Sequence, residues 1–228
     1  MSFGTIYSYP NNPRVMKILA AANLNNLSMS TPAFSFGTDN RTPEFLAKFP
    51  FGKVPAFEGT DGTKLVESDA IAQYVAESGP AAAQLLGTKP VERAAIRQWI
   101  AFADGEIQSP VIPLVLPRIG LAAFDEAVEK KNLEKLERSL AYLEGHLSGR
   151  NWIATEEKLS LADITVVSAL YWAFSTVIDR EMRQKYPVVV SWYEKTIESE
   201  GVKQAFGEKK FIEKPSIQAF DFFCPTCE

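Results

Sequence analysis

Two cysteines, Cys224 and Cys227, and a single histidine, His146, are the side chains most often recruited for covalent or metal chemistry. The C-x-x-C spacing is that of a redox pair, but a thioredoxin-type pair needs a strand before it and a helix after it, whose N-terminal field stabilises a thiolate. After Cys227 only Glu228 follows, so both cysteines read as ordinary thiols of a reducing compartment. A zinc site would need further Cys or His ligands, so no metal is expected. One histidine restricts any Ser-His or Cys-His pairing to His146, which closes an apolar-periodic helix before Gly149 and reads as a helix-terminal cation or surface group. Two strand-to-helix junctions gather the other polar side chains considered. Ser8-Tyr9-Pro10-Asn11-Asn12-Pro13-Arg14 brings hydroxyls, amides and a guanidinium to one helix start, and Glu67-Ser68 brings an acid and a hydroxyl to another. Unpaired N–H groups at helix starts hold anionic groups.

The elements around those junctions are legible from punctuation and period. Gly4 to Tyr9 alternates like a short strand; Asn12 can cap the helix that follows, with Pro13 at its first position and Val15, Ile18, Leu19 and Ala22 on one face. A strand is expected around Leu27 to Thr31, a loop over 33–40, and a short helix opened by Thr42-Pro43. Asp61-Gly62 between apolar pieces is a hairpin signal, and Val66-Glu67-Ser68 opens a helix ending before Gly79-Pro80. Pro55 just ahead of a strand calls for a special turn, which a cis Val54-Pro55 bond would fit. A β-α-β-α-β-β-α order is that of a thioredoxin-like α/β domain. From Val91 the period changes to that of helices, read over 91–118 with interruptions at Pro110, Pro113 and Pro117, then 121–147, 160–178, 187–198 and 200–206. The predicted organisation is a thioredoxin-like domain over 1–80, a linker over 81–90, an all-helical domain over 91–210 and a tail over 211–228. Ser160-x-x-Asp163 has the pattern of a capping box, which makes Asp163 a folding residue.

Composition narrows the partners. Of 228 residues, 24 are Lys or Arg against 28 Asp or Glu, a net charge of -4, which leaves no broad cationic surface for nucleic acid. The N-terminus lacks a basic region followed by an apolar core, and no charge-free apolar run reaches about 18 residues, so neither secretion nor membrane spanning is expected.

Three stretches resemble a known family. Thr5-Ile6-Tyr7-Ser8-Tyr9-Pro10 with Arg14, the run from Asn40 through Phe49-Pro50-Phe51-Gly52-Lys53-Val54-Pro55-Ala56-Phe57-Glu58-Gly59 with Glu67-Ser68, and Leu159-Ser160-Leu161-Ala162-Asp163-Ile164 are similar to cytosolic glutathione transferases. Within these, the pattern looks like the transferase-like domain of translation elongation factor 1B gamma, here in stand-alone form. The resemblance implies a cytoplasmic, homodimeric enzyme that uses glutathione and a small hydrophobic electrophile, in a specialised small-molecule pathway of secondary metabolism. It also admits double-bond isomerisation with glutathione returned unchanged, and a non-catalytic scaffold like the elongation factor.

The same resemblance distributes roles. Glutathione has two carboxylates, an ammonium and a thiol, so its site needs donors at both ends, an acid near the amino group and a group that favours thiolate. Ser68 and the amides beside it would take the γ-glutamyl carboxylate, with Glu67 facing the ammonium. The backbone of Val54, held by Pro55, would pair with the cysteinyl unit, and Lys53 would meet the glycine carboxylate. Asn11 is the first choice for the thiolate donor, with Tyr9 and Ser8 as substitutes and Arg14 adding positive potential. Phe34, Phe36, Pro110, Leu114, Val115 and Arg118 are expected to wall the electrophile's cleft, with Tyr171 and Phe174 behind them. Trp99, Phe102, Trp172 and Trp192 are assigned to packing.

Overall fold

The computed structural model describes residues 2–214; Cys224, Cys227 and the aromatic stretch 220–223 lie outside them. Strand β1 (Gly4–Tyr7) leads into α1 (Pro13–Leu24), then β2 (Met29–Ser30), α2 (Pro43–Lys48), β3 (Ala56–Gly59), β4 (Lys64–Val66) and α3 (Ser68–Glu77). The sheet order is β2-β1-β3-β4. β1 runs parallel to β2, and antiparallel to β3 with Ile6 opposite Phe57. Both side chains are buried, the strand's alternation having turned them toward one core. The Asp61-Gly62 turn forms as its sequence predicts: Gly62 takes a φ of 87°, and the Asp61 carboxylate accepts the Thr63 N–H at 2.9 Å.

The remainder is helical: α4 (Ala82–Leu86), α5 (Pro90–Phe102), α6 (Ser109–Arg118), α7 (Glu126–Leu147), α8 (Leu161–Thr176), α9 (Arg180–Lys185), α10 (Pro187–Glu198) and α11 (Val202–Phe206). A thioredoxin-like α/β part followed by an all-α part is the expected fold class. Two short helices, α4 and α9, fall where the sequence reads as a connector and an unassigned stretch, and α7 begins at Glu126 rather than 121. Asp125 sets that start, its side chain accepting the N–H groups of Ala127 and Val128 at 2.9 and 3.0 Å.

The prolines of α6 do not break it. Ahead of them, residues Ala103–Gln108 widen into a π-helical segment, and the Glu106 carbonyl, which Pro110 cannot serve, accepts the Ser139 hydroxyl at 2.7 Å. α8 is buried almost all round and packs against α1, α5 and α6, as an apolar helix without a polar face must. Its start is held by Asp163, discussed below. His146 has a structural place: its Nε2 lies 2.7 Å from the Ile153 carbonyl, to which it donates, and its ring sits 4.4 Å from that of Trp99.

The two parts share contacts where the chemistry is expected. Ser168 of α8 donates to the Pro13 carbonyl at 2.7 Å, and Asn23 of α1 donates to Gly201 at 2.8 Å. The first turn of α1 is therefore clamped to α8, and whatever precedes it faces the junction between sheet and helices.

Candidate active site

The turn between β1 and α1 divides its residues by conformation. Asn12 is extended and caps the helix, accepting the Arg14 N–H on its Oδ1 at 3.0 Å and donating from Nδ2 to the Ser8 hydroxyl at 3.0 Å. Asn11 takes a left-handed φ of 57°, a conformation that asparagine tolerates better than other side chains bearing a Cβ. The reversal sends Asn11 outward while Asn12 turns in. Tyr7, also at the end of this strand, is committed elsewhere: its hydroxyl donates to Glu58 at 2.9 Å, and Lys48 meets the same carboxylate at 2.7 Å.

Asn11 opens on a cavity of about 510 Å³ between the sheet part and the helices. Tyr9, Pro10, Arg14, Lys53 and Val54 form its polar side together with Asn11. Burial raises the Tyr9 phenol above its ordinary value, against the opposing pull of Arg14, so Tyr9 is a protonated donor rather than a base. The Val54-Pro55 bond is cis. The opposite wall is apolar, made by Phe36, Ile112, Val115, Leu116, Ile119 and Trp172, with Leu121 and Thr176 at its margin.

That wall differs from the expected one, and helical geometry explains how. Pro110, Leu114 and Arg118 recur every four residues on α6 and share the face turned into the protein, where all three are buried. Arg118 is spent there on the Leu114 carbonyl at 2.6 Å and on both carboxylate oxygens of Glu129. Ile112, Val115, Leu116 and Ile119 share the other face and meet the cavity. On α8, Tyr171 packs on Phe206 and Phe174 on Tyr193 and Phe211, whereas Trp172, assigned to packing from sequence, looks into the cleft with Thr176 one turn on. Phe34 joins Tyr7 and Phe45 in a separate aromatic cluster beside the sheet, leaving Phe36 on the wall. Trp172 and Thr176 carry no sequence signal because α8 is apolar all round, so its pattern singles out no functional face.

Glu67 and Ser68 stand at the other junction. The register Ala56 to Val66 puts Glu67 one step beyond the ladder, across from Pro55. Glu67 has a φ of 67° and ψ of 115°, a region that costs a residue with a Cβ about 1–3 kcal/mol and is concentrated at ligand sites. The side chain borders a second cleft, of about 890 Å³, where Arg93 and Arg97 of α5 also face; neither Glu67 nor Ser68 lines the Asn11 cavity. Next to Ser68, Asp69 pairs with Lys17 of α1, whose ammonium is almost fully buried. Burial pulls the Lys17 pKa down and Asp69 pulls it back. This pair ties the helix that starts behind Asn11 to the helix that starts at Ser68. Asp69→Asn is expected to lower the unfolding free energy by about 2 kcal/mol in denaturant titrations, below the usual cost of halving a buried pair because Asp69 keeps some water. Lys17→Met combined with Asp69→Asn should cost less than Asp69→Asn alone, since no charge is then left buried without a partner.

A thioredoxin-like sheet, an all-helical second part and a cleft between them with one polar and one apolar side make up the glutathione-transferase fold. The chain belongs to the glutathione S-transferase family: residues 2–77 match its N-terminal domain and residues 102–200 its C-terminal domain. It is an enzyme of the glutathione-transferase type, with glutathione as its thiol substrate. It is 55% identical over 218 residues to the glutathione S-transferase-like protein FUS3 of Gibberella moniliformis, covering 96% of this chain and 99% of that one. Elongation factor 1-gamma of Danio rerio is 39% identical over 94% of this chain, which spans about half the length of that protein, 48%. The nearer pattern is thus the fungal transferase-like one, which corrects the sequence-based placement beside the elongation factor. Among solved structures, the transferase-like domain of elongation factor 1-gamma from Saccharomyces cerevisiae superposes with a TM-score of 0.81 at 26% identity, covering 94% of this chain and 98% of that domain.

Proposed function

We propose that this protein binds glutathione along Lys53, Val54 and the Glu67-Ser68 corner, activates its thiol through the Asn11 amide and adds the sulfur to a small apolar electrophile. Asn11 carries the reading: an amide in a left-handed turn at the lip of a cleft whose far wall is aliphatic and aromatic. An N–H donated to sulfur, beside the start of α1 and near Arg14, favours the thiolate without a protein base. The thiol proton leaves to solvent. The apolar wall excludes water from the electrophile and orients it toward sulfur. Similarity to FUS3, named as a glutathione S-transferase-like protein, favours conjugation over a scaffold role. The Glu67 cleft, with acids on α3 facing Arg93 and Arg97 of α5, supports a homodimer, since opposite charges on two helices of one face are complementary to a second copy.

Ultraviolet difference spectroscopy tests the central step. Glutathione added at neutral pH should produce the absorbance of a thiolate, and S-methylglutathione should bind without it. Tight binding of glutathione with no thiolate absorbance would sink thiol activation by this site.

A further inference from the structure

The cavity contains a cation to which the reading above assigns no carboxylate of glutathione. Arg14 is half-buried, lines the cleft and pairs with no carboxylate among the described residues. Among those residues no Asp or Glu lines that cavity, whereas Arg14 and Lys53 both do. Lys53 is committed to the glycine carboxylate in the reading above, and the γ-glutamyl carboxylate belongs at Ser68.

Position puts Arg14 in the cavity with the apolar wall, away from the Glu67 cleft. It follows Pro13, whose carbonyl is held at 2.7 Å by Ser168. Ser168, Trp172 and Thr176 lie at successive four-residue steps along α8, on one face, and the last two line the cavity. Arg14 therefore leaves α1 beside α8, the helix that contributes Trp172 and Thr176 to the cavity. A guanidinium partly withdrawn from water is costly unless an anion reaches it, and its planar fork matches a carboxylate. Tyr9, kept protonated by burial, supplies no counter-charge.

We propose that the second substrate is an apolar electrophile bearing a carboxylate, and that Arg14 is the specificity-determining residue that receives it. This rests on the glutathione-transfer reading, and the test separates the two.

An aryl vinyl ketone carrying an oxyacetic acid group and its ethyl ester share the reacting enone and differ in that charge and the ethyl group that masks it. With either, the glutathione sulfur bonds to the β carbon, the alkene π pair shifts to join the α carbon to the carbonyl carbon as the carbonyl π pair moves onto oxygen, and the enolate takes a proton from water at the α carbon. That proton replaces the one the thiol released. The protein should favour the acid over the ester by about tenfold in kcat/KM, the size expected of a charge-assisted contact. Arg14→Gln should bring the ratio near one and Arg14→Lys should restore part of it. Equilibrium binding of the two preformed thioether conjugates should show the same preference without any turnover. A ratio near one in the unmodified protein overturns the proposal, as does Arg14→Gln slowing acid and ester equally, which would make Arg14 a servant of the thiolate alone. If neither ketone is turned over, the transfer reading falls, and the conjugate affinities still decide Arg14: equal binding removes it, and a preference lost in Arg14→Gln sustains it.

Discussion

Asp163→Ala is expected to lower the free energy of unfolding by about 4 kcal/mol, seen as a fall in the denaturant midpoint at unchanged slope. Asp163 is fully buried, and its carboxylate accepts four hydrogen bonds: from the Ile153 N–H at 2.8 Å, the Ser160 N–H at 2.8 Å, the Ser160 hydroxyl at 2.9 Å and the Trp192 indole at 3.1 Å. Burial raises its pKa while those donors pull it down, so the site balances desolvation against a complete set of partners. Alanine removes the acceptor and leaves the donors in the core, at about 1–3 kcal/mol for each one that finds no substitute. Asp163→Asn is the informative companion. It keeps the volume, but its NH₂ group must face an N–H where a carboxylate oxygen stood, so it should lose nearly as much. A loss under about 1 kcal/mol in both variants would mean that α8 and the 150–160 loop do not depend on this carboxylate.

Removing the Asn11 amide should reduce turnover at saturating glutathione by about 30- to 100-fold while shifting glutathione affinity by less than about threefold. The range lies at and just below the lower end of what one preorganised donor to a reacting anion is worth. Asn11→Gly is the cleaner variant, because glycine accepts the left-handed backbone that Asn11 adopts at φ 57°. Asn11→Ala should show the same kinetic loss with about 1 kcal/mol of added instability from its Cβ in that conformation. An undiminished rate in Asn11→Gly would transfer the role to Tyr9 or Ser8. Of these, Tyr9 lines the cavity, whereas Ser8 accepts the Asn12 amide.

Signals that act over a few residues are legible in the sequence alone. Asn12 with Pro13, Thr42 with Pro43, Asp61 with Gly62, and Ser160 with Asp163 each specify a cap or a turn through bonds to their own neighbourhood, and all form as their spacing predicts. Asn11 stands out for the same reason, as one of a short run of polar groups between a strand and a helix. The wall of the cleft is not legible in that way. Pro110, Leu114 and Arg118 look as suitable as Ile112, Leu116 and Ile119 along a single stretch, and only the docking of α6 against α7, with Arg118 drawn to Glu129, decides which face is interior. Trp172 is indistinguishable in sequence from the packing tryptophans because α8 has no polar side from which to infer a direction.

By itself, then, the sequence determined the caps and turns that open several elements and the change from a mixed α/β part to a helical part, because capping and turn chemistry are satisfied within a few residues. Tertiary structure alone decided which faces of α6 and α8 line the cleft, that Arg14 stands in it without a carboxylate partner among the described residues, and that Lys17 closes on Asp69. Those outcomes depend on which helix surfaces meet, and burial and charge pairing between surfaces distant in the chain leave no fixed spacing to read.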